Sequence, residues 1–199
     1  MAAEKTRAML VDVARRLFAK KGLEETTMND ISQASGKGRR TLYTYFRSKE
    51  DIYEAVVEAE MDRLAQEMAK VAAKPMNPED KLVALIYSHL DAIKEVVQRN
   101  GNMRAQFFRD IWRVSLIRKR FDSNEKKLLT KILTEGEREG YFEMENIPLT
   151  VNIIHYCVKG LEIPYIYGRL ETGLSPTASR AAVQRLVHRA IGRQLKKTY

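Results

Sequence analysis

Cysteine, tryptophan and histidine are scarce in this chain: its 199 residues hold one, one and three of them. A single cysteine, Cys157, closes no internal disulfide, which fits a reducing compartment, and its place in an apolar stretch reads as a small buried side chain. The histidines, His89, His155 and His188, are scattered and match no metal-ligand spacing, so each is read as structural and no metal is assigned. No run approaches the roughly 18 apolar residues that a membrane span needs. The first residues, Met1 to Arg7, lack the apolar core of a secretory signal. There is no internal repeat and no low-complexity tract. No Ser/His/Asp set, paired carboxylates or phosphate loop argues for catalysis, so neither an enzyme nor a cofactor is expected. With 44% apolar and 31% charged residues, the composition is that of a soluble, cytoplasmic globular chain.

What the sequence does have is positive charge, unevenly placed. Its net charge is +9, which favours a polyanionic partner, nucleic acid or an anionic membrane surface. Residues 1–50 carry 11 Lys and Arg against 6 Asp and Glu, a net of +5, and the other 149 residues carry a net of +4. Lys37, Arg39, Arg40, Arg47 and Lys49 form an acid-free cluster between Asp30 and Glu50.

Every long periodic stretch has helical spacing, which predicts an all-α fold. A first helix is expected over about 6–21, with Leu10, Val13, Ala14, Leu17 and Phe18 on one face and Gly22 as its stop. Thr27 and Asp30 form an acidic capping box for a second helix, with Ile31 and Ala34 inward and Gly36 at its end. A third short helix covers about 38–46. The fourth runs from Lys49, behind a Ser48 cap, to about Ala73, with Ile52, Val56, Ala59, Leu64, Met68 and Val71 as buried positions. Asn77-Pro78 opens a helix to about Gln98. Further helices are expected over 104–114, 116–139, 149–170 (kinked at Pro164) and from Ser175-Pro176 to about Lys196. After Gly140, Tyr141 and Phe142 are expected to tuck into the core. The predicted organisation is a three-helix DNA-binding domain over residues 1–48 and an all-helical domain over 49–199.

The segment 27–46 has the form of a helix-turn-helix. Its second helix is short and capped. Its third helix buries Leu42 and Phe46 and offers Lys37, Arg39, Arg40, Thr41, Tyr43, Thr44 and Tyr45 on its other side. Arginine reads guanine bidentately in the major groove, and threonine bonds a base edge or packs on a thymine methyl. Thr27, Tyr43 and Lys49 are candidate phosphate contacts. Five or six such contacts imply affinity that falls by roughly 10³-fold or more between 50 and 200 mM salt.

The run from Ala14 to Gly22, then Thr26 to Ile31, Ala34 to Gly36, Thr41 to Phe46 and Ser48 to Glu50 resembles the N-terminal signature of the TetR family of bacterial one-component repressors. By that resemblance Thr27 caps the second helix and touches phosphate, while Tyr43 and Lys49 contact the DNA backbone. Lys37, Gly38 and Arg40 depart from the family pattern, so the operator sequence does not follow by analogy. The resemblance also implies a cavity in the C-terminal bundle for a small-molecule effector of unknown identity that releases DNA. Tyr87, Phe107, Phe108, Ile111 and Trp112 are candidate lining residues.

A helix apolar nearly all round, as over 149–170, needs more than one partner. With the last helix it suggests a symmetric four-helix contact in a homodimer, formed by Ile154, Val158, Leu161, Val183, Leu186, Val187, Ala190 and Ile191. A two-fold dimer implies a pseudo-palindromic operator on double-stranded DNA, with half-sites about 34–36 Å apart. Repressor rather than activator follows from the family alone. The stripe Arg185, Arg189, Arg193, Lys196 and Lys197 is read as a solvated face at a helix C-terminus. Rival readings are a helical protein that acts on partners or membrane surfaces, and a nucleoid-type binder without sequence preference. The first calls for exposed large apolar residues beside the basic ones, whereas here the first helix needs its apolar face for packing, so no membrane partner is expected.

Overall fold

The computed structural model describes residues 2–99, 115–170, 173 and 175–192. Among these, eight helices form: α1 (Ala2–Lys21), α2 (Met28–Ser35), α3 (Arg39–Tyr45), α4 (Lys49–Ala72), α5 (Pro78–Arg99), α6 (Ser115–Arg138), α7 (Ile147–Ile166) and α8 (Pro176–Ile191). No strand forms among the described residues; one backbone pair, Phe142 with Gly192, bridges in antiparallel fashion. The fold is all-α. No helix among the described residues is long and apolar enough to cross a membrane.

The described residues fold as two compact units, residues 2–63 with 95–99 and 115–119, and residues 64–94 with 120–170, 173 and 175–192. In the first, Leu10, Ala14 and Phe18 of α1, Ile31 of α2, Leu42 of α3 and Ile52 and Val56 of α4 are buried together with Phe46. Each such large side chain removed from water contributes roughly 1.5–3 kcal/mol. Phe18 meets Tyr53 edge-on at 6.2 Å between ring centres. Helix α1 begins about one turn earlier than its periodicity suggested, at Ala2, and Val11 joins its buried face while Val13 and Leu17 are half-buried. Ala34 and Ala59, expected inward, are exposed, and Val71 is half-buried. A methyl group contributes too little burial to fix which way a helix faces, so larger neighbours set the rotation.

In the second unit Leu82, Leu85, Leu90 and Ile93 of α5, Leu129, Ile132 and Leu133 of α6 and Val158 and Tyr165 of α7 are buried, and Leu90, Val158 and Tyr165 share one core cluster. Gly136 in α6 leaves room for the ring of Phe142, with which any Cβ there would collide. Phe142 is therefore buried, as expected, but Tyr141 beside it is exposed. Helix α7 ends at Ile166, about one turn short of the expected Leu170. Pro164 lies inside its last turns and Gly168 follows with a φ of 66°. Cys157 is exposed, against the expectation of burial, because Val158 takes the inward position next to it.

The three scattered histidines do not stand alone. His89 of α5 is fully buried, with Nδ1 2.6 Å from Glu125 Oε1 and Nε2 3.0 Å from Glu162 Oε1. The other oxygen of Glu125 lies 2.6 Å from His155 Nδ1, so one carboxylate bridges two imidazoles. Beyond them Lys159 donates to Asp122 at 2.8 Å. His188, at the surface, pairs with Glu79 at 2.7 Å. Among the described residues no such group has the geometry of a metal site.

Burial alone pulls the His89 ring toward neutrality, but the Glu125 and Glu162 carboxylates outweigh it and raise its pKa to about 9 from the ordinary 6.5. Burial likewise opposes ionisation of Glu125, yet His155 and His89 hold its pKa down at about 2, from 4.5. A raised folded-state pKa means that the folded chain holds the proton more tightly. Its stabilisation is complete below about 6.5 and is lost as pH rises to about 9. For Glu125 the stabilisation is present above about 4.5 and is lost as pH falls toward 2. Urea unfolding of the whole chain is thus expected to lose up to about 1.4 kcal/mol per pH unit across the upper window. His89→Gln should flatten that dependence. Equal wild-type stability at pH 6.5 and 9 would contradict it.

Candidate DNA-reading site

Two turns of helix do not hold themselves, and α2 has both ends fixed from outside its own ladder. At its start Thr27 Oγ1 accepts from Asp30 N at 3.1 Å, and the Asp30 carboxylate accepts from Thr27 N at 2.9 Å. The capping box expected from the sequence is formed in full. Those donors from Thr27, with Lys21 3.6 Å away, hold the Asp30 carboxyl below its usual pKa. At its end Gly36 takes a left-handed φ of 63°, a conformation that side chains other than glycine's rarely adopt.

The turn that follows is pinned by serines. Ser32 is buried, and its hydroxyl donates to the Lys37 carbonyl at 2.7 Å. Ser35 donates to the Ser32 carbonyl at 3.0 Å. These contacts fix where α3 begins. Neither serine was singled out in the sequence; a small hydroxyl at the inward position before the turn glycine was the available signal.

Helix α3 buries Leu42 alone and is closed by Phe46, also buried, whose ring carries the Arg7 guanidinium at 5.2 Å. Lys37, Arg39, Arg40, Tyr43 and Thr44 are exposed, while Thr41 and Tyr45 are half-buried. Thr44 donates its hydroxyl to the Arg40 carbonyl at 2.9 Å. Thr27 is exposed at the start of α2. The structure thus gathers Thr27, Lys37, Arg39, Arg40, Thr41, Tyr43, Thr44 and Tyr45 onto α2, the turn and α3, and no acid lies between Asp30 and Glu50. Lys49, at the start of α4, donates to the Leu23 carbonyl at 2.9 Å and the Glu24 carbonyl at 3.0 Å.

The residues expected to line an effector cavity divide. Phe107, Phe108, Ile111 and Trp112 lie outside the described residues, as do Arg193, Lys196 and Lys197 of the basic stripe. Tyr87 is buried in the second unit, its hydroxyl 2.6 Å from Ser179 Oγ and its ring edge-on to Tyr165 at 6.4 Å. Of the expected dimer residues, Val158 lies in the core of the unit, and Ile154, Leu161, Val183 and Val187 pack against that core. Leu186 and Ala190 are exposed and Ile191 is half-buried.

A match with a known family falls on this segment. The sequence model described as "Bacterial regulatory proteins, tetR family" matches residues 10–56, which span α1 to the start of α4. The chain is 27% identical over 158 residues to the transcriptional repressor KstR2 of Mycobacterium tuberculosis, covering 77% of this chain and 76% of that one. The fold is shared with the structure of that ketosteroid transcriptional regulator, with a TM-score of 0.56, 23% identity, and 94% and 95% of the two chains covered. It is also shared with the fatty acid degradation regulator FadR of Bacillus halodurans, with a TM-score of 0.66, 21% identity, and coverage of 91% and 93%.

The turn geometry makes a direct prediction. Ser32→Ala strands the Lys37 carbonyl and is expected to destabilise the chain by about 1–2 kcal/mol in urea unfolding. A wild-type unfolding curve would mean that this hydroxyl does not hold the turn. With a capped two-turn helix, a glycine-closed turn, a cationic α3 and relatives that share both sequence and fold, the chain is a DNA-binding transcriptional regulator whose residues 10–56 match the tetR family of bacterial regulatory proteins.

Proposed function

We propose that the chain is a dimeric, operator-specific repressor that leaves DNA when a small-molecule effector binds. The observation that carries specific reading is α3, which buries one residue within the helix and leaves Arg39, Arg40, Tyr43 and Thr44 exposed just after a rigidly closed turn. A helix anchored in this way presents its arginines at a fixed angle, as bidentate reading of guanine needs. A sequence-independent binder has no use for that constraint. Thr41 and Tyr45, being half-buried, serve this reading less directly than their neighbours.

Dimerisation is supported by the face of α7 that the second unit leaves bare. Leu149, Ile153, Tyr156, Ile163 and Tyr167 are each more than half exposed. With Gly160 they follow one another at alternating intervals of four and three residues, the spacing of a helix seam. An apolar row of that length is unusual on a monomer. Gly160 has open space around it, which lets a second helix approach closely. Exposed Leu186 and Ala190 of α8 extend the surface on which a second copy packs. Relatives named for ketosteroid regulation and for fatty acid degradation make steroid-like and fatty-acid-derived molecules the first effectors to titrate.

The reading is tested by selecting binding sites from a random duplex library with the purified chain and titrating the winners against scrambled duplex. A pseudo-palindrome preferred by on the order of 10³-fold, and lost on Arg40→Ala, is expected. Enrichment of no motif would leave a nonspecific DNA binder. The double substitution Ile153→Glu with Ile163→Glu is expected to give monomers in sedimentation and to abolish tight operator binding. A dimer that persists would place the contact elsewhere.

A further inference from the structure

The family resemblance assigns Lys49 to phosphate, but the side chain is engaged within the protein. Helix α1 ends at Lys21, and the chain must turn within five residues, 22–26, before Thr27 opens α2. Thr26, fully buried, ties that turn back by donating its hydroxyl to the Gly22 carbonyl at 2.7 Å. Lys49 reaches across from α4 and donates to the carbonyls of Leu23 and Glu24 at 2.9 and 3.0 Å. Bonds from a charged donor are roughly twice as strong as neutral ones. The stem is half-buried on its way, so the ammonium is not a freely swinging surface charge.

We propose that Lys49 is a positioning residue for DNA recognition: its ammonium pins the turn at Leu23 and Glu24 to the start of α4, and so sets the angle at which Thr27 and the first turn of α2 meet the DNA. It acts through that turn and not as a phosphate contact. The proposal rests on the DNA-binding reading above, and its test separates the two.

Wild type, Lys49→Met, Thr27→Ala and the double variant are titrated with the selected duplex over a range of salt, at a temperature where all are folded. Lys49→Met should weaken binding on the order of tenfold, the scale of a charged hydrogen bond, with an unchanged slope of log affinity against log salt. Loss of a phosphate contact would instead lower that slope by about 0.9 and overturn the proposal. The double variant should lose less than the sum of the two single losses, because both act on one turn of helix. Full additivity would also overturn it. Without DNA, amide exchange over residues 26–31 should quicken in Lys49→Met; unchanged exchange counts against the pin. If Lys49→Met does not fold, Lys49→Gln is read in the same way. A wild type that binds no duplex refutes the DNA reading alone and leaves the exchange result to decide the role of Lys49.

Discussion

Helix α2 is eight residues long, and a helix of that length does not persist in water on its own hydrogen bonds. Its first turn exists because Thr27 and Asp30 satisfy each other's backbone groups, and its last because Gly36 can take a left-handed turn. Once α2 is fixed, Ser32 fixes Lys37, and Lys37 fixes the start of α3. Ile31 and Leu42 then have a common core to enter. The cationic face of α3 is a consequence of that chain of small constraints. The arginines themselves add nothing to the geometry, which leaves them free to vary with the DNA that is read.

Much of this was legible before any coordinates. Thr27, Asp30 and Gly36 are strong local signals, because capping and left-handed turns depend on one residue and its immediate neighbours. Two helix starts followed for the same reason, with Asn77 and Ser175 each capping the helix it precedes. What escaped was long-range. The pairing of Lys49 with Leu23 joins residues 26 apart, and the link of His89 to Glu162 joins residues 73 apart. Periodicity cannot indicate which polar side chain on a buried face finds a partner on another helix. The inward placement of Val158 and the outward placement of Cys157 failed in the same way, since an all-apolar helix gives no internal clue to its rotation.

The second unit shows what scattered histidines can become. His89, His155, Glu125 and Glu162 are nearly or fully buried, at 5% exposure or less. Such groups are tolerated inside a protein only when they face one another. They link α5, α6 and α7 through contacts that tolerate little displacement, where an all-apolar core allows more than one packing. Lys81 with Glu135, at 2.7 Å, repeats the device between α5 and α6.

The spans of these contacts differ between the units. The reading segment is closed by hydrogen bonds between residues three to five apart, as in Thr27 with Asp30 and Ser32 with Lys37. The second unit is stitched by Tyr87 with Ser179, Asp80 with Gln184 and Glu79 with His188, which are 92, 104 and 109 residues apart. Closing loops of that length costs entropy before any contact rewards it, and chains rich in such contacts fold more slowly. On a ribosome, α1 to α3 can assemble as soon as they emerge, whereas α5 waits for α8 to be made. The surface that α8 will cover is therefore bare during most of synthesis.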